Sequence, residues 1–417
     1  MEENIEITID ENGISNPVRA EQKSKKKKPE RKNGRKWLVF LILGIVGILG
    51  GASLVLVSMI LPEEEVLGIT FPDIPSKIDE EKSYSLLDGR ELLDANLKNA
   101  PTYCVQIPNG LDGARPQVGL NHAGVVFEAI AEAGITRFAA VFQNPTTAVI
   151  GPIRSLRIYY LDWDTPFGCT IVHAGGSGDA LAAVRSGGYR DLTEDYNYMY
   201  RGTAGARRWN NLFTTSANLA RFNSDHGYQT SDLKGFLRFT PKEAEVNRVE
   251  ALAGEKLDIL EETEANTAEV TVAASDINIR FGYSAIYNVS YHYDVEQNVY
   301  LRSYENGEAH EVYDCGEGDL GEINPEGNCR LVQLSPSVVI AMEVKESLAS
   351  DRYHEDITTT GTGAAYIFQN GTVVRGKWEK SSRSEQIKFL DGDGNEVKLV
   401  PGQTFISAVP GYGSIEY

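Results

Sequence analysis

Two adjacent stretches, TTAVIGPIRSLRIYYLDWD (146–164) and FGCTIVHAGGSGDALAAVRSGG (167–188), decide how this chain is read. Each passes from a β-branched run through a Gly-containing loop into residues with helical apolar spacing. In the first, Gly151–Pro152 makes the turn and Ser155 is the expected helix N-cap. In the second, Ser177 is the N-cap, Ala180, Leu181 and Val184 form the apolar stripe, and Gly187 is the stop. Two consecutive β-loop-α units predict parallel strands, with both loops at the carboxyl ends of those strands. That edge is where open α/β sheets bind ligands. Each loop also ends at a helix N-terminus, whose unpaired N–H groups favour an anion.

Downstream, from about residue 267, the pattern changes to short β-type runs such as INIRFGY, NVYLRSY and SVVIAMEV, with turn signals at ENG, QNG and DGDGN. DGDGN (391–395) lacks the closing Glu of a calcium loop and reads as a hairpin turn. The expected fold class is an α/β domain followed by a mostly antiparallel β domain, preceded by one transmembrane helix.

That helix is read from Trp37 to Leu61, 25 consecutive residues without a charge. At helical rise the run spans roughly 37 Å, enough to cross a hydrocarbon core of ~30 Å with some tilt. Residues 1–36 carry 10 basic and 7 acidic side chains, and Glu63–Glu65 follow the apolar run. The positive-inside rule puts the N-terminus in the cytoplasm and the rest outside. The run is too long for a cleaved signal's apolar core, so a retained single-pass anchor at the cell membrane is expected. The expected organisation is a disordered basic tail (1–36), the anchor (37–61) and an acidic linker (62–98). An α/β domain (99–240), a charged junction (241–266) and a β-rich domain (267–417) follow.

The chain's formal charge of -19 excludes a general nucleic-acid binder, because phosphate backbones reward summed positive charge. The total is an average over unlike parts: the chain beyond the apolar run carries 30 basic and 52 acidic residues. Residues 99–233 contain ten arginines and no lysine, whereas residues 234–417 contain eight of each. Arginine's planar fork matches carboxylate or phosphate oxygens with two parallel hydrogen bonds; lysine is a point charge. An arginine-only domain suits either a fixed anion site or a set of internal ion pairs.

The candidate ligand-binding residues are Arg137, Arg154, Ser155, Arg157, His173, Gly175, Gly176, Ser177, Glu128, Glu132 and Arg201. Glu128 and Glu132 are four apart in VVFEAIAEAGITRF and share one face of either a helix or a strand. Such a pair could serve acid/base chemistry, hold a metal, pair with Arg137, or face solvent. Arg201 lies in DYNYMYRGTAGARRWNN (195–211), a stretch rich in Tyr, Arg and Asn. No P-loop, HExxH or C-x-x-C pattern is present, and no cofactor or metal is expected. Of the four cysteines, Cys315 and Cys329 flank a turn-rich loop and are expected to bridge. Cys104 and Cys169 are read either as a second bridge or as buried thiols.

ARPQVGLNHAGVVFEAIAEAGITRFAAVFQ (114–143), IGPIRSLRIYYLD (150–162), VHAGGS (172–177), GTGAAYIFQNGTVVRGKWEKSS (361–382) and PGQTFI (401–406) resemble the YerB-like family of bacterial envelope proteins. The likeness spans about residues 100–415, in the family's two-part arrangement. It implies a bacterial, membrane-attached, outward-facing protein of unknown biochemical function. Members of that family are typically lipoproteins attached through a cysteine, whereas no cysteine here precedes Cys104. The family's Pro-His-Asn string is replaced by Arg208-Trp209-Asn210-Asn211.

The leading functional expectation is a protein that binds an anionic cell-envelope ligand at the 151–157 and 173–178 loops. One alternative is an envelope phosphoryl- or glycosyl-transfer enzyme using Glu128, Glu132 or His173. Another is a non-catalytic scaffold or partner-binding protein.

Overall fold

An eleven-stranded mixed sheet organises the chain. The computed structural model describes residues 82–145, 147–202, 210–258, 272–282, 284–316 and 329–417. The expected tail and anchor, and the linker as far as residue 81, lie outside the described residues. No helix among the described residues is long and apolar enough to cross a membrane.

The main strands are β1 (Thr102–Pro108), β2 (Val125–Glu132), β3 (Ile135–Gln143), β4 (Thr170–His173), β5 (Arg190–Thr193), β6 (Val338–Val344), β7 (Gly361–Gln369), β8 (Thr372–Lys380), β9 (Lys388–Leu390) and β10 (Thr404–Pro410). Their order across the sheet is β9-β8-β7-β6-β10-β2-β3-β1-β4-β5, and the short strand Val272–Ala273 also pairs with β8. The hairpins follow from local sequence. Ala133 and Gly134 between β2 and β3 sit at φ 50° and 74°, and Asn370 and Gly371 between β7 and β8 at 55° and 73°. Positive φ at both central residues is what a two-residue hairpin with the natural strand twist requires.

β1, β4 and β5 run parallel; of the two expected β-loop-α units, only the second, β4 followed by α2 (Gly178–Arg185), belongs to this parallel set. Strands from 99–240 and from 267–417 join in the one large sheet, and each stretch also forms a smaller sheet of its own. β10 lies between β6 and β2 and is parallel to both. The physical reason is in β2, which is buried on both faces and therefore needs a covered, paired edge on each side. Only β3 is supplied locally; TFISAVP, buried at every position, supplies the other edge.

Helices α1 (Ile158–Asp164) and α2 (Gly178–Arg185) cover one face of the sheet. Trp163 of α1 stacks on Phe127 of β2 with ring centroids 5.4 Å apart. The other face is covered by α3 (Ser216–Asp225) and by a four-stranded antiparallel sheet of Asp276–Arg280, Val289–Asp294, Val299–Tyr304 and Ser414–Glu416. The charged stretch after residue 240 opens as α4 (Pro241–Asp258), started by a reciprocal cap. The Glu243 carboxylate accepts from the Thr240 N–H at 2.8 Å, and the Thr240 hydroxyl accepts from the Glu243 N–H at 3.3 Å. Cys315 and Cys329 are bridged as expected, and Cys104 and Cys169 form a second disulfide.

Candidate functional site

The two Gly-containing loops meet at the carboxyl end of β1 and β4, through backbone hydrogen bonds. The Arg154 N–H donates to the Gln106 carbonyl of β1 at 2.8 Å, and the Ala174 N–H donates to the Arg154 carbonyl at 2.9 Å. Leu156 N–H donates to the Gly175 carbonyl and Ser177 N–H to the Leu156 carbonyl, both at 3.0 Å. Residues 154–156 thus act as a short extra strand wedged between the ends of β1 and β4. Gly175 sits at φ 68°, and a Cβ at Gly176 would lie 3.0 Å from the Leu156 carbonyl oxygen. Both glycines therefore allow a backbone approach that a side chain would strain or obstruct.

Two details of the expectation are corrected. The strand before Gly151 is only Val149–Ile150, and it pairs antiparallel with Leu212–Thr215 in a separate three-stranded sheet. Ser155 caps no helix: α1 begins at Ile158 with Arg157 at the cap position. The reason is that 154–156 are held extended by the pairing to β1 and β4, which delays the helix by two residues. Ser177 does occupy the cap position of α2, with its hydroxyl buried and without a hydrogen-bond partner among the described residues.

Within this crevice the arginines have different fates. Arg157 reaches one oxygen of Glu132 at 2.5 Å, and Arg137 reaches the other at 2.8 Å while also donating to the Ser155 carbonyl at 2.8 Å. Burial pushes the Glu132 carboxyl up, but the two guanidiniums outweigh it and hold the carboxyl below its ordinary range. Burial and the neighbouring Arg157 push Arg137 down. Arg154 is different. Its side chain is half-buried and makes no ion pair or hydrogen bond among the described residues.

The expected carboxylate pair is not brought together. A β-bulge between Ile130 and Glu132 shifts the register of β2 against β3. Glu128 then accepts from the Thr136 hydroxyl at 2.9 Å, whereas Glu132 pairs with Arg137. Thr136 and Arg137 are consecutive on a strand and point to opposite faces, so the two carboxylates do too. Glu128 is fully buried and pairs at 2.8 Å with Arg302 of the four-stranded sheet. Arg302 continues into Tyr291 and His310, and His310 into Gln117 at 3.0 Å. The local sequence has no signal for this network, whose partners come from both ends of the chain.

His173 is fully buried, with Nδ1 2.6 Å from the Gly175 carbonyl and Nε2 2.8 Å from Asp191. Both ring nitrogens are committed, so the imidazole orients the loop and has no nitrogen free to serve a substrate. Arg201 is exposed and engaged by the Tyr196 hydroxyl at 3.0 Å and by Asn211 at 2.9 Å. Of the expected set, the structure brings Arg154, Ser155, Gly175, Gly176 and Ser177 together at one loop junction, with Arg137, Arg157, Glu132 and His173 around it. Among the described residues no cluster of His, Cys, Asp and Glu is placed to hold a metal.

Residues 87–229 match "Protein of unknown function (DUF3048) N-terminal domain", and residues 277–406 match "Protein of unknown function (DUF3048) C-terminal domain". The chain belongs to the DUF3048 family. The YerB-like resemblance read from the motifs is the same relationship. The Bacillus subtilis (strain 168) protein named "Putative lipoprotein YerB" is 26% identical over 306 residues, covering 73% of this chain and 80% of that one. A crystal structure of the YerB protein from Bacillus subtilis shares the fold at a TM-score of 0.62 and 22% identity, covering 81% of this chain and 100% of that one. In this DUF3048 protein the N- and C-terminal matches contribute neighbouring strands to a single sheet.

Proposed function

We propose that this protein binds an anionic ligand of the bacterial cell envelope at the Arg154 crevice, held at the membrane by residues 37–61 with the N-terminus cytoplasmic. The observation that carries the reading is Arg154 itself: a half-buried guanidinium without a partner among the described residues, on the loop whose backbone is hydrogen-bonded to the 174–177 loop. A phosphate-bearing glycan or a polymer precursor supplies the planar or tetrahedral oxyanion that such a fork matches. The envelope assignment is supported by the charge asymmetry around the apolar run and by the lipoprotein name of the Bacillus relative. A transferase using Glu128 or Glu132 is disfavoured, because arginines occupy both carboxylates.

The test is co-sedimentation of the full-length protein with envelope polymer, comparing intact polymer with polymer stripped of phosphate. Arg154→Lys, which keeps the charge and removes the fork, is expected to weaken binding about 10-fold. Equal sedimentation of the Arg154→Lys protein and the parent would remove the crevice from consideration.

A further inference from the structure

A second guanidinium, far from the crevice in role, is held as a receptor. Arg115 lies in the loop that leaves β1 and is fixed from three sides. Its Nε donates to the Asn109 side-chain oxygen at 2.8 Å. Its guanidinium carbon lies 3.9 Å from the centre of the Tyr304 ring and 5.4 Å from that of Tyr287. The aromatic faces come from the C-terminal half and the arginine from the N-terminal half, so the clamp exists only in the joined fold.

What the clamp leaves unmet is the end of the fork. Nη2 is buried without a hydrogen-bond partner, and no described carboxylate pairs with Arg115. Glu128, whose field reaches the guanidinium, is already occupied by Arg302, Thr136 and Asn109. Burial accordingly pushes the Arg115 guanidinium down from its ordinary range. Arg238 makes the useful contrast: it too pairs with no carboxylate, yet its donors are met by the Leu87, Val400 and Gly402 carbonyls and the Thr404 hydroxyl. Burying a cation costs free energy unless an anion or a full set of acceptors compensates. Arg238 has the acceptors; Arg115 has neither.

We infer that Arg115 is the receptor for one small oxyanion, a carboxylate or phosphate group, bound end-on by Nη1 and Nη2 with Tyr304 and Tyr287 holding the guanidinium in place. This site is independent of the Arg154 crevice and stands or falls without it. The expected geometry is the bidentate one that a fork with its Nε already engaged still offers.

The experiment is a titration of the full-length protein, labelled with 15N in its arginines, with sodium phosphate in one arm and sodium acetate in the other at constant ionic strength. The Arg115 side-chain signal, assigned by its loss in Arg115→Lys, is expected to shift saturably below about 50 mM in at least one arm. The arm that saturates at the lower concentration identifies the oxyanion. Tyr304→Leu, which removes the nearer clamp, is expected to weaken that binding about 10-fold, and Arg154→Gln is expected to leave it unchanged. An Arg115 signal unmoved by both salts in the parent protein overturns the inference, whether or not the variants fold. So does a titration that Arg115→Lys leaves unaltered at the remaining signals.

Discussion

Glu128 and Arg302 lie 174 positions apart in the chain and meet in a 2.8 Å ion pair with neither side chain exposed to solvent. The pair crosses from the main sheet to the four-stranded sheet, so it joins the two layers as well as the two halves of the chain. Removing one member strands the other charge in the interior. Glu128→Gln or Arg302→Met alone is expected to cost about 3–5 kcal/mol of unfolding free energy. Replacing both with apolar residues of similar volume is expected to recover most of that loss. Urea unfolding of the two single variants and the double variant measures this directly.

Glu132 separates frame from receptor at the crevice. Glu132→Gln leaves Arg137 and Arg157 facing each other without a shared carboxylate, and is expected to destabilise the fold by about 2–4 kcal/mol. Arg154→Gln, which removes no described contact, is expected to change stability by less than about 0.5 kcal/mol while reducing anion binding. Thermal melts set beside the sedimentation assay separate the two effects.

Glu346 gives the protein a pH signature. Burial pushes its carboxyl up to about 7, with Glu355 adding to the shift and the Tyr412 hydroxyl opposing it. In the unfolded chain the same group ionises near its ordinary value of about 4.3. Between those values the folded state binds the extra proton, so this contribution is full below roughly pH 4.5 and fades as pH rises to about 7. Glu346→Gln is expected to flatten that part of the stability–pH curve, by ~1–2 kcal/mol once partial exposure is discounted. A difference curve between variant and parent that does not slope over this interval counts against the assignment.

The two disulfides are expected to contribute unequally. Cys104–Cys169 spans 65 positions and Cys315–Cys329 spans 14. Loop-closure entropy in the unfolded chain then favours the first, about 4 kcal/mol against about 3. Paired Cys→Ser variants, unfolded in urea, should preserve that ranking, and the Cys104/Cys169 pair, being nearer the core, should lose more than entropy alone.

Much of the local architecture was legible in the residues. The β4–α2 unit, the turns at Gly134 and Gly371 and the Cys315–Cys329 bridge each rest on spacing within a few residues. The loops at 151–157 and 173–178 converge as expected, although Ser155 caps nothing. What stayed hidden depends on contacts that span the chain or on a single irregular residue. One bulge between Ile130 and Glu132 turns two carboxylates to opposite faces, and no propensity marks a bulge. The arginine-only composition was informative without being specific: Arg137 and Arg157 use their forks on Glu132, Arg154 pairs with no described residue, and Arg115 is clamped by Tyr287 and Tyr304 from the far half of the chain.

The placement of β10 has a consequence for how the protein is made. Residues 404–410 occupy the middle of the sheet, so a nascent chain that has emerged through β9 still presents β2 and β6 as open, apolar edges. Such edges are sticky templates for other chains, and the contact that closes them is among the most distant in sequence. Vectorial folding, element after element during synthesis, cannot finish this sheet. The polypeptide must be kept apart from its neighbours until a strand near residue 404 slides in as the keystone.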